Sequence, residues 1–446
     1  MSVDLLRWAE RFIATPSPSR AGNAAIAALA AELLAEIGLD PQTEAVEIDG
    51  ITHHAVHATL GSPGEEPGGV LLVTHLDTVP PGSLEAWTAT GGDPYRPTRV
   101  GERLYGLGSA DAKLDFVCKV AALRELSPGT RGRPVRIVGS FGEEIGLLGA
   151  RWLVEAGLAR GLRWALVGEP SELRAVRAHK GYAVFEARIP LEPRPRGGLG
   201  RAERLELEGN PVHSSAPELG VNAIELALTR LAGPDVRSLV GIEGGGAVNQ
   251  VPGSCTLWVE REGVSGGPTE ARREGYTAEP LIAFHRAWRE LLAGLAKPRD
   301  PEFDPDHSVG SLGWIALQDR EVTLRFDLRP IPGVDPERAV EPLAKVAELR
   351  CLRRNPPLAT PPSSPLVQAV SFAQRSVGLP ESVTTKATCT EAGLLAESGL
   401  VALVIGPGRS VGNVHRPNEY TRIPELSLAR DLYRHALREL VGDGGS

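Results

Sequence analysis

The chain has 446 residues, too many for one compact core, and with 42% hydrophobic residues it has material for two. A net charge of −8 with no clustered Lys/Arg face argues against a nucleic-acid partner. No apolar run approaches the roughly 18 residues of a membrane span, and acids at Asp4 and Glu10 do not fit a signal peptide, so a soluble, cytoplasmic protein with no membrane partner is expected.

In chain order, residues 5–12 and 23–34 carry apolar spacings near 3.6 and predict helices, the second ending near Gly38. A polar turn at 61–69 joins two strands, and the apolar run from Val70 predicts a buried strand ending in His75. Residues 106–113 form a glycine-bearing loop leading into a helix over 114–123. Residues 134–141 predict a second buried strand running into Gly142-Glu143-Glu144, and 164–168 a third running into Glu169. From Gly181 the pattern changes to half-exposed strands at 182–189 and 204–208, a helix at 222–232 and a strand at 254–261. Residues 262–312 read as an insertion with a Gly/Pro/Arg-rich loop, an amphipathic helix at 277–295 and an acidic stretch at 300–306. The Pro/Arg/Gly-rich 193–200 reads as an exposed hairpin loop and the proline-rich 353–365 as a linker. Helices at 366–376 and 426–440 close the chain, with a strand at 401–405 between them leading to His415.

Five residues that can bind divalent metal thus recur at strand ends or loop tips: His75, Asp111, Glu144, Glu169 and His415. Two imidazoles and three carboxylates suit a pair of zinc-like ions sharing one bridging carboxylate. In a strand/helix alternation, strand ends are where ligands bind. Asp77, two residues beyond His75 on an extended chain, lies on the same side and is placed to accept the imidazole N–H. Taken alone, His75 also reads as a buried histidine bonded to an acid, Asp111 as a helix cap and Glu143-Glu144 as a solvated acidic turn. Adjacent carboxylates at a strand end diverge, so Glu144 is assigned as ligand and Glu143 as general base facing the attacking water. The four cysteines, Cys118, Cys255, Cys351 and Cys389, have no CxxC spacing and read as reduced, mostly buried thiols.

The strings HLDTVP, GSADAK, FGEEIG, VGEPS, HSSAP and GPGRSVGNVHRPNEY resemble the signatures of the co-catalytic zinc hydrolases that include acetylornithine deacetylase, succinyl-diaminopimelate desuccinylase, aminoacylase and carboxypeptidase G. The resemblance runs from about Leu71 to Ile423. It implies an α/β zinc-peptidase-like catalytic domain, with a mixed sheet flanked by helices, over residues 1–180 and 359–446. An inserted α+β, ferredoxin-like lid and dimerisation domain would span 181–358, itself carrying the insertion at about 262–312. It implies that His75 and Glu169 hold one metal, Glu144 and His415 the other, that Asp111 bridges them, and that Asp77 orients. The two divalent ions are expected to be zinc, with cobalt or manganese as alternatives. The family commonly has arginine at Leu107 and glycine at Leu114, departures that touch no ligand.

In the lid, Gly209-Asn210-Pro211-Val212-His213-Ser214-Ser215 resembles the loop whose histidine reaches the active site of a homodimer partner and holds the developing oxyanion. Asn249 resembles a substrate-contacting asparagine. Arg329, with Arg261 as its rival, is the arginine expected to grip a substrate carboxylate. The expected reaction is hydrolysis of an amide bond in an N-acyl amino acid, of the deacetylase or desuccinylase kind. A dipeptidase or carboxypeptidase, and a catalytically inactive metal-binding scaffold, are the alternatives. The presence of Glu143 and of every ligand argues against the scaffold.

Overall fold

A computed structural model describes residues 3–61, 68–126, 133–194, 202–262 and 275–442. Most of the expected turn at 61–69, most of the hairpin loop at 193–200 and the loop after Glu262 lie outside the described residues. The chain divides into two compact units, one of residues 1–178, 358–385 and 390–446, the other of 179–357 and 386–389.

The first unit opens with α1 (Leu5–Ala14), α2 (Ala24–Glu36), β1 (Gln42–Ile48), β2 (Ile51–Leu60), β3 (Val70–His75), β4 (Thr98–Val100) and β5 (Arg103–Tyr105). It continues with α3 (Lys113–Arg124), β6 (Val135–Ser140), α4 (Leu148–Glu155), β7 (Trp164–Gly168) and β8 (Ala175–His179). The second unit supplies β9 (Tyr182–Pro190), β10 (Pro193–Arg194), β11 (Glu203–Glu208), α5 (Ala223–Leu231), β12 (Val236–Gly245), β13 (Ser254–Arg261), β14 (Gly275–Tyr276), α6 (Glu279–Leu295), β15 (Val309–Gln318), β16 (Glu321–Arg329), α7 (Pro336–Ala339) and β17 (Glu348–Asn355). The chain then returns through β18 (Leu358–Ala359), α8 (Pro365–Ser376), β19 (Val383–Lys386), α9 (Glu391–Glu397), β20 (Val401–Val404), β21 (Tyr420–Arg422) and α10 (Ile423–Val441).

The large sheet of the first unit runs β1-β2-β6-β3-β7-β20-β8-β18, with β19 beside β8. Strands β6, β3, β7 and β20 are mutually parallel, while β1, β2 and β8 run against their neighbours, so the sheet is mixed. The central strands are continuous apolar runs because both faces are covered. Val70, Leu72, Ile137, Leu166 and Leu403 point into the core formed with α1, α2, α3, α8 and α10. Their neighbours Leu71, Val73, Val138, Ala165 and Val404 point into a separate core containing Leu153 of α4 and Leu395 of α9. A parallel arrangement brings the carboxyl ends of β3, β6, β7 and β20 to one edge, and four of the five expected ligands follow those ends.

The second unit is α+β, with an antiparallel sheet ordered β10-β14-β12-β15-β16-β9-β17 and extended by β13 and β11. Its core packs Leu281, Phe284, Trp288, Leu291 and Leu295 of α6 with Ile224, Ala227 and Leu228 of α5 against Phe185 and Phe326 of the sheet. The stretch 262–312, expected as an insertion, contributes elements to this unit's sheet and core. Strand β15 begins at Val309 inside that stretch and pairs with both β12 and β16, and α6 is part of the core rather than an appendage. The proline-rich return is likewise structured at its ends, since β17 occupies its start and Ser364 caps α8.

Candidate metal centre

His75 ends β3 fully buried, and its Nε2 lies 3.1 Å from Asp111 Oδ1. Asp111 does not cap α3: the cap position is Ala112, and the carboxylate spans two imidazoles, with Oδ2 3.2 Å from His415 Nε2. His415 Nε2 is also 3.0 Å from Glu144 Oε1, and its backbone sits at φ +58°, a left-handed turn that aims the ring back at the sheet edge. Two groups of potential metal ligands result, His75–Asp111–Glu169 and Asp111–Glu144–His415. Within each, one ligand atom per residue lies within 4.8 Å of the others, and Asp111 belongs to both. Imidazole nitrogen with carboxylate oxygen is a donor set that suits zinc and similar divalent cations.

The charges around these donors favour a cation. Asp111 and Glu144 push the His415 imidazolium up to about 11 against the opposing effect of burial. Burial alone would lower His75, yet Asp111 and Asp77 hold it well above the usual histidine range. Burial opposes ionisation of Asp111, and hydrogen bonds to His415 and His75 overcome it, leaving the carboxyl far below its ordinary range. Glu143 differs: burial first, then the neighbouring Glu169 and Glu144 charges, raise its proton affinity well above that of a free glutamate, with His75 opposing. Glu144 is also raised, by burial and Asp111, though its bond to His415 opposes.

Asp77 is the brace of the site. The carbonyl oxygen of Asp77 is 3.1 Å from His75 Nδ1, whereas its carboxylate is 3.6 Å away, so the backbone is the nearer acceptor and fixes the tautomer. The carboxylate accepts from Ser19 Oγ at 2.6 Å and from the amides of Glu143 and Glu144 at 3.2 and 3.4 Å, tying β3 to the turn that carries both glutamates. Burial works against its charge, but His75, Ser19 and the Glu143 amide together hold it below the usual carboxylate range.

Two buried acids escape sequence reasoning. Glu419 accepts from the amides of Ala110 and Asp111 at 2.7 and 3.0 Å and so shapes the loop that presents the carboxylate shared by both groups; burial and Asp111 push it up to about 7. Glu391, at the start of α9, takes the Ser140 hydroxyl at 2.8 Å and is pushed up to about 7, chiefly by burial. Glu419 stands inside one of the strings that carry the family resemblance, but only burial distinguishes it and Glu391 from surface acids. Lys113, buried beside the loop, donates to the Thr15 carbonyl at 3.1 Å and is lowered to about 7 by burial.

His213, Asn249 and Arg329 lie in the second unit. The Ser215 amide donates to His213 Nδ1 at 3.2 Å, which makes Nδ1 the acceptor and leaves the proton on Nε2. Asn249 is exposed, and its main-chain carbonyl accepts from the Ser214 amide at 3.0 Å. Arg329 is buried, donates to Asp327 Oδ2 at 3.1 Å and to Ser214 Oγ at 3.2 Å, and stacks 3.9 Å over the Tyr182 ring. Arg261 is instead clamped between Asp235 at 2.5 Å and Glu203 at 2.8 Å. The structure thus joins His213, Asn249 and Arg329 through Ser214. None of the four cysteines is in a disulfide: Cys118 and Cys255 are buried, Cys389 half-buried and Cys351 exposed.

A mixed α/β sheet that gathers two donor triplets and an adjacent carboxylate along one edge defines the class as a metal-dependent hydrolase acting on amide bonds. The chain belongs to peptidase family M20/M25/M40, whose model matches residues 71–439. It is 28% identical to acetylornithine deacetylase from Klebsiella pneumoniae over 94% of this chain and 93% of that one. Among solved structures it is similar to aminoacylhistidine dipeptidase from Vibrio alginolyticus (TM-score 0.71, 18% identity, 99% and 97% of the chains). It is also similar to a dinuclear metal-binding peptidase from Bacillus subtilis (TM-score 0.56, 13% identity, 98% of each chain). No helix among the described residues is long and apolar enough to cross a membrane.

Proposed function

We propose that the protein is a two-zinc deacylase that releases an amino acid from its N-acyl derivative. The observation that carries this reading is the pair of donor triplets sharing Asp111, with Glu143 beside them. His75, Asp111 and Glu169 would hold one ion, and Asp111, Glu144 and His415 the other. When bound, two such cations supply Lewis acidity and a water of lowered pKa. Glu143, whose surroundings raise its proton affinity, takes the proton of the attacking water as the carboxylate and returns it to the leaving amine. Asp77 holds His75 and the Glu143-Glu144 turn in register for that transfer. His213, with its Nε2 proton, serves as the oxyanion donor across a homodimer, Asn249 contacts the substrate, and Arg329 grips its carboxylate. Support for the acyl amino acid over the dipeptide is the likeness to acetylornithine deacetylase along nearly the whole chain.

The test is metal content per chain together with hydrolysis of N-acetyl amino acids, N-succinyl amino acids and dipeptides, with and without added Zn²⁺ or Co²⁺. Two ions per chain and metal-dependent release of an amino acid from the acyl substrates are expected. Cleavage of dipeptides alone would replace deacylation with peptidase activity, and absence of bound metal would overturn the reading.

A further inference from the structure

Beneath the metal centre lies a charged cluster that the reaction does not use. Asp115, Lys119, Thr74 and Tyr433 are all essentially fully buried. Asp115 Oδ2 accepts from Thr74 Oγ1 at 2.6 Å and from Lys119 Nζ at 2.7 Å, and its Oδ1 meets the Tyr433 hydroxyl, which also lies 2.8 Å from the Ile405 carbonyl. Lys119 Nζ reaches further, to the carbonyls of Val73 at 2.7 Å and Leu166 at 3.1 Å and to Thr74 Oγ1 at 3.1 Å. One ion pair therefore joins β3, β7 and the end of β20 to α3 and α10.

The cluster also fits against the backbone. A Cβ on Gly168 would fall 1.8 Å from Asp115 Oδ2, and one on Gly406 would fall 3.0 Å from Asp115 Oδ1 and 2.7 Å from the Glu169 carbonyl. Thr74 immediately precedes His75, Gly168 immediately precedes Glu169, and α3 starts two residues after Asp111. The three ligand candidates of one triplet are thus each one or two residues from an element this cluster holds. The second triplet gets Glu144 from the turn after β6 and His415 from the loop after β20, and neither residue adjoins the cluster.

We infer that Asp115 and Lys119, acting through Thr74, are positioning residues that set the spacing of His75 and Glu169, the two donors belonging to that triplet alone, and hence the affinity of that one metal position. The inference rests on the two-metal reading above. A buried ion pair is weak evidence for stability, because burying both charges costs about what their attraction returns, so a role in fixing geometry fits it better.

The test uses the full chain loaded with Zn²⁺ and titrated with a chelator, following ions per chain and the free-zinc level that half-empties each position, with thermal unfolding recorded in parallel. Asp115→Asn alone leaves an unpaired buried ammonium and risks failure to fold, so the variants are Thr74→Val, Thr74→Ser and Asp115→Asn/Lys119→Met. Thr74→Val and the double variant are expected to weaken one position by about 10- to 100-fold while the other is unchanged, and Thr74→Ser to restore wild-type affinity. A purely structural role would lower the unfolding temperature and leave both affinities alone, and that result would overturn the inference. Wild-type protein that takes up no zinc would overturn the two-metal reading, and this inference with it. Wild-type protein with two ions and folded variants of unchanged affinity would overturn the inference alone.

Discussion

Glu143 is surrounded by groups that make it hold a proton, while its neighbour Glu144 is bonded to His415. Two adjacent glutamates thereby stand in different settings, one among like charges and the other against an imidazole. Glu143→Ala is expected to lower kcat by about 10²- to 10⁴-fold, the usual scale of general acid–base catalysis, with metal content unchanged. Full turnover in that variant would remove it as the base. A different titration belongs to His179 in the second unit, buried with its Nδ1 2.9 Å from the Lys180 carbonyl and lowered to about 4, chiefly by burial. The unfolded chain, with histidine near its ordinary 6.5, binds more protons than the folded one between about pH 4 and 6.5. Stability therefore rises with pH across that window and levels off above it, and unfolding midpoints for wild type and His179→Gln should converge as the pH is lowered. Parallel curves would refute the assignment.

Among the secondary-structure elements, α6 carries the clearest consequence. Trp288 is fully buried, edge-on to Phe326 with ring centroids 5.1 Å apart, and its indole N–H donates to Glu225 of α5. Trp288→Ala should cost about 3–5 kcal/mol, measurable by denaturant unfolding, whereas a helix merely appended to the fold would tolerate the change. This element also shows what was legible in the sequence. Its helical period was plain, but its partners were not, because β15 and β16 are joined by a tight hairpin while α5 and β9 are distant in the chain. Strands β3, β6 and β7 were readable because burial on both faces leaves a mostly apolar run, and the histidine, glycine or acid that follows each run marks the sheet edge. The Ser19–Asp77 bond and the burial of Glu391 and Glu419 were not readable, since each depends on segments brought together only by the fold.

For the whole molecule, the donor triplets predict that metal binding and folding are coupled. Removing the ions with a chelator is expected to lower the unfolding temperature, and restoring Zn²⁺ to raise it, by an amount that grows with free zinc. Asp111→Asn, which changes the residue common to both triplets, should lose most of that response. If His213 acts across a homodimer, mixing His213→Ala with Glu143→Ala chains should recover part of the activity that each lacks alone. Proven heterodimers without recovery would rule out that arrangement.

The order in which these parts leave the ribosome follows from the sheet. Every donor of the His75–Asp111–Glu169 triplet has been synthesised once Glu169 emerges, but β20 lies between β7 and β8 and arrives only after the whole 179–357 unit. Until then the nascent sheet has the edge of β7 open where β20 will pair, and the second triplet lacks His415. The growing chain can therefore gather one donor triplet while the other waits for His415, and an edge left unpaired that long is the kind of surface chaperones shield from wrong strand pairing.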